Sequence, residues 1–149
     1  GPLGAVVTEG DRLLVAGVNC VLSSSFSIAH AEIVALMRAQ QRLVRDASAH
    51  SHAPLTLYTS TEPCCQCFGA LVWSGVTRLV CGARSQDAEA IGFDEGPKPS
   101  AWIHELARRG IAVTRDVCRD DARAVLQAYA RNGGPIYGVG RDWLPREDS

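Results

Sequence analysis

Two short runs near the start of the chain, Ala5–Val7 and Leu13–Val18, are rich in β-formers. Glu9-Gly10-Asp11 lies between them, so they read as a hairpin. A serine-rich polar stretch follows, and from His30 the pattern lengthens to helical spacing, with Ile33, Leu36, Met37 and Leu43 three or four residues apart. That helix is expected to end near Arg45, before a loop over Ser48–Pro54. Leu55-Thr56-Leu57-Tyr58-Thr59 reads as a buried strand. A second helix should start at the Pro63-Cys64 turn, run to about Trp73 and stop at Gly75. Phe68, Leu71 and Trp73 are placed in its core face. Arg78–Cys81 reads as a strand, Ala83–Ser100 as irregular, Trp102–Arg109 as a helix stopped by Gly110, Ile111–Val113 as a strand and Asp121–Arg131 as a last helix. Strands alternating with helices after Leu55 call for a parallel portion of sheet, and the opening hairpin makes the sheet mixed.

Composition narrows the class. At 149 residues the chain reads as a single domain over 1–149, without repeat or linker. A hydrophobic fraction of 46% and a charged fraction of 21% are those of an ordinary globular protein. No apolar run approaches the ~20 residues that cross a bilayer, so no membrane role is expected. With 15 basic against 16 acidic residues the chain lacks the basic surplus of a nucleic-acid binder, and a nucleic-acid partner is not expected. Six cysteines, three of them in Cys64-Cys65-Gln66-Cys67, suggest metal or thiol chemistry rather than a disulfide scaffold, and hence a cytoplasmic location. Cys81 reads as a small buried hydrophobe, His50 and His52 as exposed loop residues, and His104 as a partly exposed helix residue.

Two elements carry the chemistry. His30-Ala31-Glu32 and Pro63-Cys64-Cys65-Gln66-Cys67 each open a predicted helix. Cysteines three apart on one helical turn point the same way, and a helix N-terminus favours their thiolates. One imidazole from the other helix completes three ligands: His30, Cys64 and Cys67. A structural zinc takes four protein ligands, whereas a catalytic zinc keeps one position for water. Glu32, beside the ligands, is the expected general acid–base group. Glu62 is expected to fix the turn or cap the helix. H-x-E with P-C-x-x-C is the signature of the zinc nucleobase deaminases. Three other readings of the cysteines stay open: a redox pair, a structural zinc with Cys65 or Cys81 as fourth ligand, and a non-catalytic zinc-stabilised binding module.

At these motifs the sequence resembles the cytidine deaminase superfamily, in the branch with a His ligand. The resemblance runs from Pro2-Leu3-Gly4-Ala5-Val6-Val7 to about Asp94. Leu57-Tyr58-Thr59-Ser60-Thr61-Glu62-Pro63-Cys64, Gly69-Ala70-Leu71-Val72-Trp73 and Glu89-Ala90-Ile91-Gly92-Phe93-Asp94-Glu95 are similar to bacterial guanine deaminases. The resemblance implies a three-layer α/β/α deaminase fold with a mixed five-stranded sheet, a Zn2+ cofactor, a homodimer, and hydrolysis of a nucleobase, guanine first, to xanthine and ammonia. Another amino-heterocycle or a nucleoside (cytosine, cytidine, an adenine derivative) is the alternative substrate. It further implies that Asn19 binds the base edge, that Asp94 or Glu95 assists at the far side of the ring, and that Phe26 and Ala31 lie against the base. Phe26, Ser27 and Ile28 stand where the family commonly has D-P-T, and are expected to line the pocket. A C-terminal segment exchanged with the partner would close the site, with Tyr137 or Trp143 as the closing residue. The family usually has a helix ahead of its first strand, and since this sequence starts at the strand, a truncated N-terminus is expected.

Overall fold

The computed structural model describes residues 1–46 and 53–138. The elements in chain order are β1 (Gly4–Glu9), β2 (Arg12–Val18), α1 (Val21–Ser24), α2 (Ala31–Arg45), β3 (Leu55–Thr61), α3 (Cys65–Trp73), β4 (Arg78–Ala83), α4 (Ser85–Glu89), α5 (Trp102–Ala107), β5 (Ala112–Thr114) and α6 (Arg119–Arg131). The sheet order is β2-β1-β3-β4-β5. β1 pairs antiparallel with β2 and with β3, while β3–β4 and β4–β5 are parallel. The expected hairpin, mixed sheet and parallel half are all present. Helices lie on both sides, in the cytidine-deaminase-like α/β arrangement.

Along β4 the side chains alternate. Leu79 and Cys81 enter the main core with Leu57, Leu71, Trp102 and Leu106, and Gly82 faces α6 at Ala122. α2 crosses β1 and β2 on a line of small residues, Ala31, Ala35 and Ala39, each nearly or fully buried. The approach is close because β2 offers Gly17 there: a Cβ on Gly17 would lie 2.6 Å from both the Ala31 carbonyl oxygen and the Ala35 nitrogen. This contact seats the start of α2, with His30 as its cap, against the sheet.

Some expectations fail at short elements. Val21–Ser24 is a helical turn inside the serine-rich stretch, and Ser85–Glu89 is a helix inside the segment read as irregular. Both are too short to leave a periodic signature. Trp73 is not core but 85% exposed. Two positions on from the buried Leu71, it stands about 200° around the helix and faces outward. Met37 (56% exposed) and Val44 (80% exposed) on α2 are likewise outward, and Gln40 Nε2 of α2 donates to the Ser74 carbonyl just after α3 at 3.3 Å. Cys81 is buried and His104 exposed, as expected. No helix among the described residues is long and apolar enough to cross a membrane. His50, His52, Trp143 and the exchanged tail fall outside the described residues.

Candidate active site

The two motifs meet where α2 and α3 begin. His30 caps α2 and Cys64 caps α3, both in extended backbone conformations, and neither side chain makes a capping hydrogen bond. The side chains are therefore free to point at each other. His30 Nδ1 lies 3.4 Å from Cys64 Sγ and 3.6 Å from Cys67 Sγ. A tetrahedral zinc with Zn–S of roughly 2.3 Å and Zn–N of roughly 2.0–2.1 Å would set these nitrogen–sulfur edges at about 3.6 Å. The donor set thus fits the ion in chemistry and in span. Among the described residues these three form a possible metal-holding group, and Cys65, Cys81 and Glu32 are not part of it.

The electrostatics match this geometry. The Cys64 thiol is lowered to about 4, chiefly by its hydrogen bond with Cys67 and then, against burial, by His30. Cys67 is raised in turn, by its hydrogen bond with Cys64 first and by burial second. Burial opposes charge on His30, but its bond to Cys64 and the nearby acidic groups leave it raised. Cys81, buried in the core, is pushed up to about 12 and is inert. Glu32, in the first turn of α2, is buried with its carboxyl beside Cys67, and burial raises its pKa.

A cavity of about 540 Å³, part of it open to solvent, borders these residues. Asn19, Thr61, Asp94, Glu95, Phe93 and Tyr137 line its other walls. Asn19 Oδ1 accepts from the Tyr137 hydroxyl at 2.6 Å, and Tyr137 packs edge-on against Phe93 at 5.6 Å. Tyr137 therefore lies over the cavity within its own chain. Three residues bordering the cavity, Thr59, Thr61 and Glu95, each carry a buried side-chain oxygen (Oγ1, Oγ1 and Oε2) with no hydrogen-bond partner among the described residues. Buried polar atoms are nearly always paired, so three orphans gathered beside one cavity set this region apart from the rest of the core. Desolvation, then the Cys64 charge, pushes the Glu95 carboxyl up to about 7.

Asp94 is exposed; its carboxylate accepts from the Gly96 N–H at 2.7 Å while it also borders the cavity. The loop is locked to the metal-binding turn: Cys65 N–H donates to the Glu95 carbonyl at 2.9 Å. Gly96, at φ +68°, has no room for a Cβ, which would lie 2.4 Å from Cys65 Sγ.

The structure does not bring together every residue that the sequence nominated. Phe26 is 66% and Ile28 60% exposed, and neither lines the cavity, because the turn before His30 carries them outward. Ser27 borders the outer mouth. Ala31 is fully buried behind the cavity, packed on Gly17, where the α2–sheet contact claims it. Glu62 is buried, accepts from the Ser85 N–H at 3.0 Å and pairs with Arg115, so it fixes the turn through α4. Sequence reasoning missed Thr61, whose position at the end of β3 is visible only once its unpaired hydroxyl is seen beside Glu95.

Residues 1–83 match the family model described as the cytidine and deoxycytidylate deaminase zinc-binding region. The chain belongs to that family and is a zinc-dependent hydrolytic deaminase. It is 51% identical to the solved structure of guanine deaminase from Nitrosomonas europaea, with a TM-score of 0.82, over 88% of this chain and 74% of that one. It is 36% identical to guanine deaminase from Bacillus subtilis over 64% of this chain and 58% of that protein. A tRNA-specific adenosine deaminase of Buchnera aphidicola is 28% identical over 88% of this chain and 81% of its own length.

Proposed function

We propose that the protein deaminates a free purine base, guanine first, yielding xanthine and ammonia, and that its 149 residues act as a single deaminase domain. The observation that carries this reading is the His30, Cys64 and Cys67 donor group, with Glu32 beside it, opening on a cavity also bordered by Asn19, Thr61, Asp94 and Glu95. The 51% identity to the Nitrosomonas guanine deaminase favours the same base. A second reading, adenosine in tRNA, is favoured by the Buchnera relative, and a net charge of −1 weighs against it.

His30, Cys64 and Cys67 would hold zinc, which would supply a Lewis acid that makes water acidic enough to attack at neutral pH. Water adds to the carbon bearing the exocyclic amine, and the carbon–nitrogen bond then breaks. Glu32 takes one proton from the water as it adds and passes it to the ring nitrogen, then carries the remaining hydroxyl proton to the amine, which leaves as ammonia as the carbonyl forms. Glu95 and Asn19 hold the ring edges, and Tyr137, pinned to Asn19, limits water entry. Neither Phe26 nor Ala31 is needed in this scheme.

The enzyme works in the reducing cytoplasm, as the six free cysteines suggest, and pairs as a homodimer through the outward side chains of Met37, Val44 and Trp73. Side-by-side spectrophotometric assays of guanine, cytosine, adenine and their nucleosides test the substrate. Guanine should be far the best, because a mismatched ring leaves buried polar groups unpaired. Turnover of cytidine or adenosine derivatives with none of guanine would overturn the purine-base reading.

A further inference from the structure

Lys98 is the chain's single lysine, beside fourteen arginines. It stands between Pro97 and Pro99, whose rings fix the backbone on either side, and its N–H donates to the Gly96 carbonyl at 2.8 Å. From this stiff loop the side chain turns inward. Nζ donates to the Pro63 carbonyl at 2.7 Å and to Ser85 Oγ at 2.6 Å, and stands 4.6 Å from the centre of the buried Trp102 ring. A compact ammonium offers three donors from one point, where the arginine used elsewhere would bring a planar fork.

The Pro63 carbonyl belongs to the peptide that enters the metal ligand Cys64. The peptide that leaves Cys64 is held by the same loop, since Cys65 N–H donates to the Glu95 carbonyl at 2.9 Å. Residues 95–98 thus grip the peptide planes on both sides of Cys64. The approach to it is anchored as well: Glu62 N–H donates to the Ala83 carbonyl at 2.8 Å, and the Pro63 side chain is fully buried. Cys64 makes no side-chain capping hydrogen bond, so the direction of its Cα–Cβ bond follows from these two planes. That direction sets the 3.4 Å span from Sγ to His30 Nδ1. Site geometry must hold within about 0.5 Å and 10–20°, so a peptide plane that turns further loosens the ligand.

We propose that Lys98 is a positioning residue for the metal: through the Pro63 carbonyl it fixes the Cys64 sulfur toward His30 and Cys67. The loop that borders the substrate cavity thereby also sets how tightly zinc is held. This role needs only the His30, Cys64 and Cys67 group, and is the same whichever base is deaminated.

The test is made on the full chain with Lys98→Met, which keeps the apolar stem and removes the donors. Zinc affinity is measured by competition with a chelator, and cobalt is exchanged for zinc so that the thiolate–cobalt absorption reports ligand geometry. Lys98→Met should weaken zinc binding by about 10- to 100-fold, the usual effect of losing a group that orients a metal ligand, and should shift and weaken the cobalt band. Ser85→Ala removes the other oxygen that Nζ meets, and should change zinc affinity by less than about twofold. Unchanged zinc affinity and cobalt spectrum in Lys98→Met would overturn the proposal, as would an equal loss in Ser85→Ala. If Lys98→Met does not fold, the wild-type protein decides, because isotope labelling of its one lysine gives one ammonium signal. That signal should move as zinc is added to the metal-free protein, and a signal that zinc leaves in place would overturn the proposal.

Discussion

Replacing Gly17 by alanine tests the chain of reasoning from packing to chemistry. The new methyl would stand 2.6 Å from the Ala31 oxygen and the Ala35 nitrogen and 3.0 Å from the Ala35 Cα, all backbone atoms that cannot rotate away. Ordinary contact begins at 3.4 Å, so α2 must retreat by about 0.8 Å. Overpacking of this kind costs about 1–3 kcal/mol, and at roughly 3 °C per kcal/mol for a domain of this size, Tm should fall by roughly 3–9 °C. His30 and Glu32 travel with α2 while Cys64 and Cys67 stay with α3. The nitrogen–sulfur spans of 3.4 and 3.6 Å would open, and turnover should fall by about 10- to 100-fold. Gly69→Ala is the control: a Cβ there meets nothing within 4 Å inside α3, and should raise stability by about 0.5–1 kcal/mol. Thermal unfolding with zinc present, zinc content and base turnover are measured on both variants. A Gly17→Ala protein with wild-type Tm, full zinc and full turnover would refute the reasoning.

Three other outcomes are expected. Glu32→Gln should keep fold and zinc yet lose about 10²–10⁴-fold in turnover, and near-normal activity would exclude Glu32 from proton transfer. Asp87, hydrogen-bonded to Arg119 and to the Arg84 N–H, has its pKa held below the ordinary 3.8. Its contribution is therefore complete at neutral pH and disappears as pH falls through the lowered pKa. Asp87→Asn should lower Tm at neutral pH, and the gap from wild type should close in acid; a gap independent of pH would remove the ion pair from the account. Trp73→Glu should weaken self-association measured by sedimentation, and an unchanged mass would locate the dimer contact elsewhere.

The long elements were legible because each buries one face, and burial imposes a period: α2 shows its alanine and leucine stripe, β1 its alternation. The metal ligands were legible for a different reason. Cys64 and Cys67 must share one helical turn, so their spacing is written locally. His30 and Glu32 follow the same rule on α2. The substrate wall obeys no such rule. Asn19, Thr61, Glu95 and Tyr137 come from four separate segments, joined by topology alone. Phe26 and Ala31 were nominated by the family resemblance, but a turn sends one outward and helix packing buries the other. Lys98 and Ser85 gave no signal, since a lysine that reaches inward looks in sequence like any surface lysine.

The metal cradle uses residues from 30 to 67, whereas the wall that meets the ring also draws on residue 19, the loop at 93–95 and Tyr137. In the proposed mechanism, bond breaking thus rests on residues 30–67, while the choice of substrate rests in part on segments outside them. Changes after residue 90 can retune which amine is removed while the three ligands and Glu32 stay as they are. A lineage with this arrangement can explore new amino-heterocycles by loop and tail substitution, at little risk to the reaction itself. One constraint limits that freedom: Cys65, between the ligands, fills the space beside Gly96, so the loop's backbone at that point must drift in concert with the cradle.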